Sequence, residues 1–232
     1  MPRIRALDVA SSVFATLARG GAGARVAAVG KRPAQPLVLY EFEACPFCRK
    51  VREALTALDL DAEIRPCPKG GRRFRPDVIA RGGKAQFPYL IDPNSGRAMY
   101  ESDDIVRYLW AEYGEGAPPA TLLGPLASAS ASLASAWRAA KGRAVRASRP
   151  PAEPLELWSF EASPFCRIVR EALCELELPY RLHNLGRGSA GREAFALRSG
   201  KMMVPYLADP NTGRALFESA DIVDYLQVTY GA

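Results

Sequence analysis

The chain is poor in the residues that build metal sites, disulfide scaffolds and membrane spans. Among 232 residues there are 5 cysteines and 1 histidine. A structural zinc ion takes four Cys or His ligands, and a single CxxC with one distant histidine does not supply them, so no metal site is expected. The cysteines are too few, and odd in number, for a disulfide framework. No apolar run approaches the ~20 residues needed to span a bilayer. The opening MPRIRALDVA lacks the continuous apolar segment of a secretory leader. A reducing, cytoplasmic setting is therefore the default for these thiols. The net charge is +6, but its excess lies in Ala/Gly/Ser-rich stretches holding Arg19, Arg25, Lys31 and Arg32, then Arg138, Lys141, Arg143, Arg146 and Arg149. No aromatic residues are interleaved there as a base-stacking platform requires. These stretches read as solvated basic linkers, and no nucleic-acid partner is expected.

What the sequence does have is a repeat. LVLYEFEACPFCRKVREALTALDL, from Leu37, matches LELWSFEASPFCRIVREALCELEL, from Leu155, without a gap at an offset of 118. FPYLIDPNSGRAMYESDDIVRYL, from Phe87, matches VPYLADPNTGRALFESADIVDYL, from Val204, at an offset of 117. One residue separates the copies between these blocks. Self-similarity on this scale identifies a duplication.

Within each copy the hydrophobic period alternates. Residues 37–42 are a short apolar run of strand length; Val51, Ala54, Leu55 and Leu58 then mark one face of a helix. Residues 62–67 read as a strand, 72–80 as a weaker helix, and 89–92 with 97–100 as a hairpin around Pro93-Asn94-Ser95-Gly96. Ser102 leads a last helix, with Asp103 and Asp104 in its first turn, the pattern of a helix N-cap. The expected class is α/β, a β-α-β-α-β-β-α unit occurring twice, at 36–116 and 154–232. Each unit is preceded by a connector helix within 1–35 or 117–153. Residues 1–35 are rich in Ala and Arg and poor in acids, like an import signal. A stretch of the same character recurs mid-chain, which favours connectors.

Cys45-Pro46-Phe47-Cys48 stands where the first strand hands over to the first helix. A cysteine there faces unpaired backbone N–H groups and the positive end of the helix dipole, which favour thiolate over thiol. Pro46 suits the first helical position, where its missing N–H costs nothing. Arg49 and Lys50 place positive charge about a turn away. Cys48, three residues on, is set to resolve a mixed disulfide at Cys45.

CPFC after a strand, a hydrophobic–Pro pair before the third strand, and Glu101-Ser102 at the last helix together resemble glutaredoxins and the N-terminal domain of glutathione transferases. The resemblance covers about 37–114 and 155–231, as two tandem thioredoxin-like domains without the all-helical transferase C-terminal domain. It implies that Pro88 is a cis-proline and that Phe87 offers its backbone to the cysteinyl part of glutathione. It also implies that Glu101 and Ser102 hold the γ-glutamyl end. Glutathione is then the co-substrate, and disulfide or glutathionylated molecules are the partners.

The second copy departs at Ser163, in Ser163-Pro164-Phe165-Cys166. A serine forms no mixed disulfide, so this copy is expected to be silent or merely to bind glutathione. Cys166, Val204, Pro205, Glu218 and Ser219 would be the remnants of its site. Cys67, between two prolines, and Cys174, within a helix, read as core fillers, with a second resolving role for Cys67 as the alternative. His183 has no counterpart. The expected activity is a glutathione-dependent thiol–disulfide oxidoreductase or deglutathionylase. The alternatives are a conjugating transferase and a non-catalytic glutathione-binding or protein-interaction module. A glutathione-ligated iron–sulfur cluster is disfavoured by the serine at 163.

Overall fold

A computed structural model describes residues 6–138 and 141–232. The first five residues of the expected 1–35 connector and residues 139–140 of the expected linker lie outside the described residues. Connector helix α1 (Ala6–Leu17) precedes the first unit: β1 (Leu37–Glu41), α2 (Pro46–Ala57), β2 (Ala62–Pro66), α3 (Arg75–Gly82), β3 (Tyr89–Asp92), β4 (Arg97–Met99) and α4 (Ser102–Tyr113). A 3-10 turn and connector α5 (Gly124–Ala136) lead to the second: β5 (Leu155–Ser159), α6 (Pro164–Glu175), β6 (Tyr180–Asn184), α7 (Gly191–Ser199), β7 (Tyr206–Asp209), β8 (Arg214–Phe217) and α8 (Ser219–Tyr230). These are two thioredoxin-like units in tandem. The weak third helix begins three residues later than its pattern suggests, because Arg75-Pro76 supplies the proline that starts it.

The eight strands form one sheet in the order β4-β3-β1-β2-β6-β5-β7-β8. Within each unit the first two strands run parallel and the hairpin joins antiparallel. The units meet where β2 pairs antiparallel with β6, with Glu63 opposite Arg181 and Ala62–Leu182 and Ile64–Tyr180 on either side. At the repeat offset these flanking pairs exchange, so an internal pseudo-two-fold axis passes through the Glu63–Arg181 pair. The join covers an edge that each unit alone would leave open.

Above the sheet, α2 and α6 face each other across this axis. The Val51–Leu55–Leu58 face of α2 enters the core, yet every residue from Cys48 to Ala57 is buried. Its charged face is covered by the other unit. Arg52 Nε donates to Glu161 at 2.9 Å, and Arg170 Nε donates reciprocally to Glu43 at 3.1 Å. Arg170 also pairs with Glu161 at 2.7 Å, and Arg52 with Glu41. Burial opposes the charge on Glu161, but the surrounding Arg170, Arg52, Arg49 and Arg167 outweigh it and hold its carboxyl below the usual range.

The connectors complete this arrangement and correct the solvated-linker reading at two places. Arg19 and Arg138 are buried, each forming a two-pronged pair with a helix of its own unit: Arg19 with Glu53, Arg138 with Glu171. Each then reaches the opposite connector, Arg19 through Ala127 O at 3.1 Å and Arg138 through Asp8 O at 2.7 Å. Helix α1 packs on α6 and α5 on α2, so each connector leans on the unit it does not precede. Their buried residues are small (Ser12 and Ala15; Ala127, Ala131, Ala134 and Ser135), while Phe14, Leu17, Leu126, Leu133 and Trp137 face outward. Gly23 and Gly142, both at positive φ, pass so close to the other unit that an added Cβ would lie 2.8 Å and 2.7 Å from the Cβ atoms of Glu161 and Glu43.

Removing one partner of such a network strands a buried charge. Arg170→Met is expected to lower unfolding free energy by roughly 3–5 kcal/mol, read from denaturant melts; a loss below about 1 kcal/mol would show that the pair behaves as a surface ion pair.

Candidate functional site

Cys45 is the N-cap of α2, in extended backbone (φ −74°, ψ 122°), and its sulfur accepts the N–H of Cys48 at 3.3 Å. Pro46 occupies the first turn. The Cys45 thiol lies below its ordinary pKa, chiefly through its hydrogen bond with Cys48 and also through the N–H groups of Cys48 and Phe47, against burial and the nearby Glu41. Cys48 is raised well above, by burial first and then by Cys45 and Glu41. The two sulfurs are thus shifted in opposite directions, Cys45 toward the thiolate and Cys48 toward the thiol. All five cysteines are free.

The basic residues after the motif play a different part from the one their position suggests. Lys50 is buried and paired with Asp103 and Ser128, and Arg49 is buried beside Glu161 at 3.5 Å. Both are engaged by packing, and the lowering of Cys45 comes from hydrogen bonds at the helix start instead.

The Phe87–Pro88 and Val204–Pro205 peptide bonds are cis. Phe87 O lies 4.0 Å from Cys45 Sγ. The Phe87 ring meets Phe42 edge-on at 6.1 Å and lies under the Arg75 guanidinium at 4.7 Å. Glu101, not Ser102, is the N-cap of α4, and it makes no side-chain capping bond. Ser102 is the first helical residue and is buried. Glu101 sits at φ 65° and Glu218 at φ 64°, a conformation that costs a non-glycine residue roughly 1–3 kcal/mol. Its recurrence fixes the same helix entry in both copies, and it holds the Glu101 carboxylate at an exposed position, where Gln86 donates to it. Phe47, half exposed, borders Cys45. The structure therefore gathers Cys45, Cys48, Phe87 and Pro88 at one end of the sheet, with Glu101 and Ser102 opening the helix that follows β4.

In the second copy Ser163 Oγ accepts the N–H of Cys166 at 3.2 Å, as Cys45 does from Cys48. This loop is fastened from above: Thr16 donates to Ala162 O at 2.7 Å and Ser12 to Pro164 O at 2.9 Å. Nothing equivalent holds the Cys45 loop among the described residues, because the matching positions of α5 are Ala131 and Ser135. The Ser135 hydroxyl has no hydrogen-bond partner.

The remaining cysteines are placed by packing. Cys67 is buried among Tyr40, Val78 and Tyr89, and burial pushes its thiol up. Cys174 accepts the N–H of Glu43 at 3.4 Å and donates to Gly142 O at 3.3 Å. It takes the place that Thr56 has beneath Glu161. His183 joins the units: its Nδ1 lies 2.9 Å from Asp61, its other nitrogen is paired with Glu156, and its ring stacks on Trp158 at 4.5 Å. It lines a cavity of about 520 Å3 with Arg32, Phe195 and Arg198, away from the cysteine pair. No group of acidic, histidine or cysteine side chains suited to a metal occurs among the described residues. None of the described helices is long and apolar enough to cross a membrane. Glu41, buried and close to both thiols in the charge balance, was not singled out from its sequence; the available signal was its replacement by Ser159 within an otherwise near-identical stretch.

The glutathione S-transferase N-terminal domain family model matches residues 39–118 and again 157–232. Similar solved structures include a Bombyx mori glutathione transferase, 28% identical over 37% of this chain and 39% of that one with a TM-score of 0.33. The same Bombyx mori protein in complex with GTT gives the same values. A Nilaparvata lugens delta-class glutathione transferase is 29% identical over 35% of this chain and 38% of that one, with a TM-score of 0.32. The chain spans about two fifths of the length of these relatives. No curated protein matches it.

The two thiols are expected to separate on alkylation at neutral pH. Cys45 should react with iodoacetamide well before Cys48, Cys67 and Cys174, as located by mass spectrometry; equal labelling of Cys45 and Cys48 would contradict the hydrogen-bonded thiolate.

Proposed function

Because the chain belongs to the glutathione S-transferase N-terminal domain family, twice over, we propose that it is a glutathione-dependent thiol–disulfide oxidoreductase or deglutathionylase working through Cys45 and Cys48. The observation that carries this reading is the opposed setting of the two sulfurs at the start of α2, one lowered and one raised. A transferase that only conjugates glutathione to electrophiles has no use for the second.

In this reading the Cys45 thiolate attacks a disulfide or a glutathionylated cysteine, expelling the product thiolate and forming a mixed disulfide. Cys48, or a second glutathione, then displaces the bound thiol. The backbone of Phe87, held by the cis bond to Pro88, would pair with the cysteinyl part of glutathione in the manner of a strand. The N-terminus of α4, with Ser102 and the outward-facing Glu101, would receive the charged γ-glutamyl end. Ser163 and Cys166 would take no part in exchange, and Val204, Pro205, Glu218 and Ser219 would preserve the shape of the unit.

Cys45→Ser is expected to abolish glutathione-coupled disulfide reduction, by at least about 1,000-fold given the weight of a covalent nucleophile, with glutathione still bound in calorimetry. Conjugation of a model aryl halide that survives this substitution would favour the transferase instead. Ser163→Cys should add a second reactive thiol pair, counted by titration with a thiol reagent; no gain would show that α1 closes that site.

A further inference from the structure

The units meet at two equivalent corners, and only one of them is closed. At the first, the turn after α6 reaches the loop that opens α3. Glu177, at φ 48°, accepts the N–H of Arg72 at 3.2 Å and that of Arg73 at 3.1 Å. Arg73 returns the contact, donating to Glu177 O at 2.7 Å and to Leu176 O at 3.3 Å. The fit is tight: a Cβ added at Gly71 would lie 2.4 Å from Glu177 Oε1.

At the second corner Asp59 stands in the place of Glu177, also at positive φ (56°) but one methylene shorter. Gly71 donates to Pro68 O and Ser189 to Gly186 O, both at 3.0 Å, so the two loops correspond at the repeat offset and Ala190 stands where Arg72 does. Asp59 does not reach it. Its Oδ1 is buried without a hydrogen-bond partner. Helix α7 starts at Ala190 without a side-chain cap, and the Ala190 N–H meets no acceptor among the described residues. Arg32, from the segment before β1, takes the part of Arg73 and donates to Leu58 O and Asp59 O. Asp59 and the start of α7 both line the cavity of about 520 Å3 that His183 borders.

The lining has the parts of a ligand site. Asp61 is satisfied by His183 and by the N–H of Asn184, and Oδ2 of Asp59 by Arg32 at 2.8 Å. That leaves Asp59 Oδ1 as the one lining carboxylate oxygen without a partner. Trp158, nearly buried, stacks on His183 and lies 5.7 Å from Phe195, which makes a flat aromatic wall. The Arg198 guanidinium lies over Trp158 at 4.9 Å and has no anionic partner among the described residues. No residue of either CxxC-type motif, of either cis-proline pair or of the α4 and α8 entries lines this space. Its volume falls within the range of about 300–1,000 Å3 usual for small-molecule sites.

We propose that this cavity binds a free aromatic α-amino acid as its zwitterion. The ligand carboxylate accepts the Ala190 N–H at the start of α7, in the place that the Glu177 carboxylate fills at the other corner. The ammonium donates to Asp59 Oδ1. The side-chain ring packs on the wall of Trp158 and Phe195, beside the Arg198 guanidinium. The site is separate from the thiols and stands whether or not the oxidoreductase reading holds.

Titration calorimetry on the full chain, with L-tryptophan as the probe, tests this. Wild type should bind it, and saturating glutathione should not displace it. Tryptamine lacks the carboxylate and indole-3-propionate the ammonium. Each should bind at least about tenfold more weakly, the weight of one charge-assisted hydrogen bond. Asp59→Glu copies Glu177, is expected to fold, and should abolish binding, because its own carboxylate then takes the Ala190 N–H. Should that variant melt out, replacement of the exposed Arg198 by alanine must still weaken binding at least about threefold. The site is overturned if L-tryptophan gives no binding at millimolar concentration, if either variant binds as wild type does, or if glutathione competes. Equal binding of either analogue overturns the zwitterion.

Discussion

Four arginines and three glutamates buried between two helices are the constraint around which this molecule is arranged. Arg49, Arg52, Arg167 and Arg170 meet Glu41, Glu43 and Glu161 with almost no access to water. Each unit supplies both signs. Arg52 needs Glu161 from across the axis, and Glu43 needs Arg170. Taking such charges out of water costs several kcal/mol for each ion, and the cost is offset only when both units are in register. The β2–β6 pairing, the glycine passages at Gly23 and Gly142, and the crossed connectors all serve to hold that register. The network thus accounts for the specificity of the join better than for its strength, since an apolar interface of equal area would serve stability as well.

Much of this architecture was legible in the residues. The offset of 118 established two copies, and the alternation of apolar periods gave the order of strands and helices in each. The burial of the charged faces could not be read. VREAL at Val51–Leu55 and again at Val169–Leu173 has the pattern of a helix with one apolar and one wet face. Nothing local distinguishes a charged face turned to water from one turned to its own duplicate. The connectors misled for the same reason. Arg19 and Arg138 lie among small residues that look like linker, but alanine and serine are what let α1 and α5 approach closely enough for the arginines to reach Glu53 and Glu171.

At the thiols, the strand-to-helix junction could be placed because a CxxC with proline in the first turn has few other structural uses. The source of the lowering at Cys45 could not be placed. Arg49 and Lys50 are adjacent in sequence, but helical geometry turns Arg49 to Glu161 of the other unit and Lys50 to Asp103 and Ser128, and the hydrogen bond with Cys48, then the N–H groups of Cys48 and Phe47, lower the thiol instead. Ser102 followed by two acids has the composition of a helix cap. The backbone instead starts the helix at that residue and leaves Glu101 in an unfavourable conformation at the rim, a choice made by the β4–α4 connection and repeated at Glu218.

Duplication followed by divergence leaves a symmetric frame with unequal ends, and the inequality is instructive. Where a residue serves the frame, both copies keep its chemistry: Arg19 and Arg138, Glu53 and Glu171, and the Asp92 and Asp209 carboxylates each receiving two tyrosine hydroxyls. Where the copies differ at buried polar positions, the frame tolerates either residue. The difference then reports on something the frame does not require. Thr56 against Cys174 is one such case, since both accept the same backbone N–H. Ser163 against Cys45 and Ser159 against Glu41 are two more, and they fall in one copy together. In that copy α1 also adds two side-chain hydrogen bonds to the loop, from Thr16 to Ala162 O and from Ser12 to Pro164 O. The second unit thus supplies Glu161 and Arg170 to the shared network and the strand, β6, that pairs with β2.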